Sequence, residues 1–154
     1  YFVELFVVNG VEERTIDWTM HFGGKRIDYN PKFEEKVDCF SEKKPLKYLH
    51  DVIKAKKQEM VCSHFRIGKA TADLYTYVSN HEVFFGEGPD NPSVTDMSYV
   101  IDRAKGNKAV FFHVLETYDN KATISNVKFF VEGDKAAVTV TTTDDNKTIC
   151  FKLW

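Results

Sequence analysis

The pattern of the chain predicts an α+β fold, a strongly curved antiparallel sheet packed against two to three helices. Two neighbouring stretches, near 32–40 and 46–59, carry apolar residues at helical spacing, and a third lies near 93–105. Outside them the chain alternates with a period of two and is punctuated by tight turns. Helices grouped apart from consecutive hairpins suit an antiparallel sheet, because a parallel one needs strict alternation of strand and helix. A small barrel of lipocalin type is the alternative, and two helices ahead of most strands fit it poorly.

Residues 1–29 read as a β-hairpin. Phe2-Val3-Glu4-Leu5-Phe6-Val7-Val8 is rich in strand formers, and Asn9-Gly10 is a tight-turn signal. The second arm places Ile16, Trp18, Met20 and Phe22 on one face, and Gly23-Gly24 turns into 25–29. Pro31 opens the first helix, with Phe33, Val37 and Phe40 as its stripe. Pro45 opens the second, with Leu46, Leu49, Val52 and Ile53 facing the core. From His64 the period is two, through Phe65 and Ile67, Ala72 and Leu74, and Val83-Phe84-Phe85. The run Gly86-Glu-Gly88-Pro89-Asp90-Asn91-Pro92 is a loop. Ser93 then starts a third helix, capped by Asp96, striped by Met97, Val100, Ile101 and Ala104, and ended by Gly106. Strands follow at 110–115, 124–131, 136–143 and 148–154, with turns at Asp119-Asn120, Glu132-Gly133-Asp134 and Asp144-Asp145-Asn146. Leu49, Ile53, Val100, Ile101, Phe112 and Phe129 are expected in the core.

A chain of 154 residues, 43% hydrophobic, suits one compact unit able to bury a core without disulfide or metal. The charge of −2 is spread evenly and offers no basic footprint for nucleic acid. Lys54-Ala-Lys56-Lys57, the densest basic run, sits where a helix dipole favours cations. No segment is long and apolar enough to insert in a membrane as a helix. Cys39, Cys62 and Cys150 show no C-x-x-C spacing and read as buried thiols, with room for one disulfide. Asn146-Lys147-Thr148 matches a glycosylation acceptor, a short pattern common by chance. Neither a P-loop nor a nucleophile elbow is present, and the five histidines form no H-x-H or H-x-x-x-H pair. No cofactor and no metal are expected, and the compartment is not legible.

The chain also echoes itself. Phe6-Val7-Val8-Asn9-Gly10 resembles Phe129-Phe130-Val131-Glu132-Gly133, and Lys25-Arg26-Ile27-Asp28-Tyr29 resembles Lys147-Thr148-Ile149-Cys150-Phe151. On this pattern residues 1–30 are the closing strands of a preceding repeat and 31–154 a complete domain. Either fate of 1–29, joining its own sheet or pairing with a neighbouring molecule, requires it to be ordered.

From Pro31 to Trp154 the element order, together with Tyr77-Val-Ser-Asn-His-Glu-Val-Phe-Phe-Gly-Glu-Gly-Pro-Asp90 before the third helix, resembles the NTF2-like (cystatin-like, cone-shaped) superfamily. The resemblance implies a bent sheet wrapped round a helix and enclosing a cone-shaped cavity, in which catalytic relatives place an Asp, His or Tyr. No motif carries such a residue over to this chain.

Two groups of residues are candidates for ligand contact. Asp73, Tyr75 and Tyr77 alternate and share a strand face, where a carboxylate and two phenols can bind or polarise a carbonyl. His113, mid-strand beside Phe112, titrates near neutral pH and suits an acid–base role, or else a solvent face opposite a buried Phe112. The pocket is expected to be mainly apolar, lined by Phe and Tyr from 72–85 and 110–117. The favoured function is a non-catalytic binding or association domain, holding a small apolar ligand or pairing with itself or another domain through its sheet. The alternative is a small cofactor-free isomerase or dehydratase with His113 or Asp73 as base.

Overall fold

A computed structural model describes residues 1–28, 33–38, 40–42, 46–90 and 95–153. Its elements are strands β1 (Phe2–Phe22), β2 (Lys25–Arg26), β3 (Glu34–Lys36), β4 (His50–Ala55), β5 (Met60–Ile67), β6 (Ala70–Tyr77), β7 (Glu82–Pro89), β8 (Asp96–Tyr118), β9 (Ile124–Glu132), β10 (Lys135–Thr142) and β11 (Asn146–Lys152), with a 3₁₀ turn at Leu46–Tyr48. The α+β expectation is overturned: no α-helix occurs among the described residues. The helices that an NTF2-like cone is built round are therefore lacking there.

Long β8 is the spine of the larger sheet. β1 pairs with it from Phe2↔Leu115 to Phe22↔Ser98. On the opposite edge β6 and β7 lie end to end, one against the far part of β8 and the other against the near part. β5 and β2 extend the sheet from β6, and β4 and β3 extend it from β7. The sheet curls without closing, since β2 and β3 end the order. This departs from the lipocalin-type barrel as well.

The curl originates where the β1–β8 ladder breaks. Asn9 pairs with Lys108 and Arg14 with Gly106, so residues 10–13 stand opposite Asn107. Gly106 takes φ 140, open to glycine and costly to other residues. A bulge of this kind bends a ribbon and increases its twist. The ribbon folds so far that Trp18, laddered to Asp102, stacks on distant His113 with ring centroids 3.7 Å apart. Asn9-Gly10 thus bends the chain and does not reverse it, and 1–29 is no hairpin. Its echo at Glu132-Gly133 does turn, with Gly133 at φ 60 between β9 and β10. The two segments share composition and not conformation.

The core lies in three places. Inside the curl Trp18, Phe22, Val61, Phe65, Leu74, Phe85, Val100 and Phe111 are buried together, with Ile16 and Met20 packed against them as their alternation predicts. The separate sheet β11–β10–β9 covers the outer face of one half, burying Phe112, Val114, Val127, Val138 and Val140. Over the other half Val52, Phe84 and Ile101 sit under Val37, Phe40, Leu46 and Leu49. Full burial of one phenylalanine is worth roughly 1.5–3 kcal/mol, so Phe65, Phe111 and Phe112 are major contributors. Val100, Ile101 and Phe112 are buried as expected, whereas Leu49, Ile53 and Phe129 are half-buried.

The false helices have one cause. β8 is covered on both faces, and a strand buried on both sides reads as a near-continuous apolar run. Val100 and Ala104 face inside the curl and Ile101 faces outward, which mimics a helical stripe. Asp96 and Gly106 therefore lie in strand, not at helix ends. In the second stretch a register shift between His50 and Ile53, with Asp51 at φ 50, breaks the alternation. Lys54 lies in β4, and no helix end supports the basic run. In the first stretch Glu34–Lys36 is strand, while 31, 32 and 39 are outside the described residues, as are 29–30, 43–45, 91–94 and 154.

Candidate functional site

The register of β5 with β6 sets His64 opposite Asp73 and Cys62 opposite Tyr75. The register of β6 with β8 adds Glu116 opposite Asp73 and Tyr118 opposite Thr71. Alternation points Cys62, His64, Asp73, Tyr75, Glu116 and Tyr118 to the outer face. That face continues under the smaller sheet, where Met60, Tyr75 and Tyr77 pack. His64 emerges from this cover, its side chain 39% exposed, while the Asp73 carboxyl beneath it is 4% exposed.

His64 Nδ1 lies 2.6 Å from Asp73 Oδ1. In the neutral ring, donation to this carboxylate places the proton on Nδ1 and leaves the Nε2 lone pair free. That nitrogen is 4.0 Å from Cys62 Sγ. The Tyr118 hydroxyl donates to both Asp73 oxygens at 3.3 and 3.2 Å, fixing the carboxylate from behind. Burial pushes the Cys62 thiol up to about 12, helped by the charges of Asp73 and Asp28, so the resting sulfur is protonated. Tyr75 stands opposite Cys62, and burial, the sulfur and Asp73 all raise that phenol. Asp28, raised by burial against the opposing pull of Arg26, flanks the site next to Ile27, whose N–H donates to the His64 carbonyl. Glu116 is otherwise engaged: its Oε1 accepts from Thr123 N and Oγ1 at 2.7 and 2.5 Å and from Ile124 N at 3.1 Å, tying down the entry to β9.

Of the residues singled out in the sequence, Asp73 and Tyr75 belong to this centre. Tyr77 and Phe112 share its face but pack in the sandwich: Phe129 lies 5.8 Å from the Tyr77 ring and 5.0 Å from Phe112. Tyr77 also lines, with Met60, Phe129 and Phe130, a cleft of about 710 Å³. His113 faces the opposite way, into the curl, and is 1% exposed. The expected solvent-facing position is corrected, since β8 is covered on both sides. Around His113 runs a file of ionisable side chains. Its Nε2 is 3.3 Å from Asp102 Oδ2, its Nδ1 is 3.7 Å from Glu4 Oε2, and His81 Nδ1 is 3.0 Å from Asp102 Oδ1. These groups are close, but none of the three contacts has hydrogen-bond alignment. The His113 ring beside it holds the Glu4 carboxyl below its ordinary range.

His64, Cys62 and Tyr118 were not anticipated. The available signal was Cys62-x-His64, two chemical side chains on one strand face; their partner Asp73 becomes visible only through the register. Neither described cysteine is in a disulfide, and Cys150 is exposed, not buried. Among the described residues no group of three or more His, Cys, Asp and Glu is arranged to hold a metal ion. Comparison of the sequence with models of protein families and with curated proteins finds no match.

Proposed function

We propose that the chain is a small cofactor-free enzyme working by acid–base catalysis at His64. The observation that carries this is the 2.6 Å contact of a solvent-reaching imidazole with a buried carboxylate. Such a carboxylate fixes the tautomer and steadies the imidazolium that forms when Nε2 takes a proton. Neutral phenols at Tyr75 and Tyr118 supply donors beside it. Isomerisation and dehydration need only such a proton shuttle. The base is His64, with Asp73 behind it; His113, sealed in the core, cannot reach a substrate. The test is a panel of small ketones and 2-hydroxy acids in D₂O, followed by proton NMR, with activated esters as a second arm. A positioned general base contributes about 10²–10⁴-fold, so His64→Gln should lose at least about 100-fold of the turnover found. Turnover at the wild-type rate in that variant would remove the proposal. A second reading, association through the smaller sheet, is favoured by Phe130, 51% exposed beside a hollow lined by Ala137 and Phe151.

A further inference from the structure

The geometry points to Cys62 as a covalent nucleophile at this site, with activated esters or thioesters of short apolar acyl groups as substrates. This rests on the acid–base proposal above and adds a reaction class to it. A nucleophile within reach of a base that a third group orients is the arrangement covalent catalysis requires, and apo contacts are often longer than reactive ones. Here Cys62 Sγ, His64 and Asp73 stand in that order at 4.0 and 2.6 Å. A lone surface thiol has neither partner; Cys150, exposed on β11, is the contrast within this chain.

The step balances without oxidant or metal. His64 Nε2 takes the Sγ proton as sulfur bonds to the acyl carbon. The bond from that carbon to the leaving oxygen or sulfur breaks, and the imidazolium returns the proton to it. Water then yields a proton to Nε2 and attacks the thioester, releasing the carboxylic acid and restoring the thiol. The neutral Tyr75 phenol, set opposite Cys62 across the β5–β6 ladder, is placed to donate to the oxygen that becomes negative in each half. Because the resting thiol is protonated, attack depends on His64 and not on a standing thiolate. One cross-strand pair along the same face, Met60 and Tyr77 open onto the aromatic cleft with Phe129 and Phe130. Those apolar side chains suit a short acyl chain, while Glu59 and Lys128 also line the cleft.

The test uses protein with Cys39 and Cys150 replaced by serine, mixed with p-nitrophenyl butyrate. The expected result is a burst of nitrophenolate close to one equivalent and one butyryl group mapped to Cys62 by peptide mass spectrometry. His64→Gln should slow acylation about 100-fold, and Tyr75→Phe at least about tenfold, with circular dichroism unchanged. Cys62→Ser and Cys62→Ala provide two independent checks that the burst requires sulfur. Absence of acyl-Cys62 while His64-dependent deuterium exchange persists overturns the nucleophile and spares the acid–base proposal. Acylation of Cys62 at an unchanged rate in His64→Gln also overturns it, as the mark of a merely accessible thiol. Loss of every His64-dependent activity overturns both.

Discussion

At the scale of single residues the molecule uses its histidines in two opposite ways. His64 leans out over a buried carboxylate, while His113 lies under Trp18 with Asp102 at 0% exposure beside it. A buried carboxylate is tolerable only with cations or donors around it, and His81 and His113 are its neighbours. Asp102→Ala should therefore destabilise the fold by about 3–5 kcal/mol in urea unfolding, the cost of removing one partner from a buried polar cluster. Little change would show that the file contributes nothing. Acid should act through Glu4. His113 depresses its carboxyl in the folded state, so the stabilisation is full above the ordinary carboxylate pKa and is lost as pH falls through the lowered folded value. Glu4→Gln should then flatten the fall in stability between about pH 5 and pH 3. An unaltered slope would assign that fall to other groups, among them Glu82, which Lys54 also depresses.

At the scale of elements, the strands at 64–77 and 124–152 were legible, because their apolar residues alternate and turn signals break them up. Gly133 is the clearest case, its φ of 60 lying where the turn was expected. The helices were not legible for what they are. Strands covered on both sides, and strands broken by a bulge, lose the period of two that identifies a strand. The site was half legible. Asp73 and Tyr75 were found from their shared face, but pairing across β5 and β6 decides which imidazole meets Asp73, and register over such distances is not written locally. Phe112 packs under the last three strands, which fold back over it, and Tyr77 packs there too while lining the neighbouring cleft. Trp18 links both arms of the curled ribbon through its stack on His113. Trp18→Ala should cost about 3–5 kcal/mol and lower the melting temperature by roughly 10 °C, since each kcal/mol is about 2–4 °C for a chain of this size. Val11→Ala at the exposed bulge should stay within about 0.5 kcal/mol. Equal melting of the two variants would contradict the role given to the stack.

At the scale of the whole molecule, curl and cover act together on the site. The curl turns the inner face into a closed core and leaves chemistry to the outer face. The smaller sheet then covers Tyr75 and Tyr77, stopping short of His64. This holds a carboxylate dry while its imidazole meets solvent, the juxtaposition on which the functional proposal stands. Its most direct test is long-range ¹⁵N–¹H NMR of the histidine rings. The account predicts that neutral His64 carries its proton on Nδ1, giving a downfield, slowly exchanging signal that vanishes in Asp73→Asn. A proton on Nε2 in the wild-type chain, or a signal unchanged by Asp73→Asn, would contradict it.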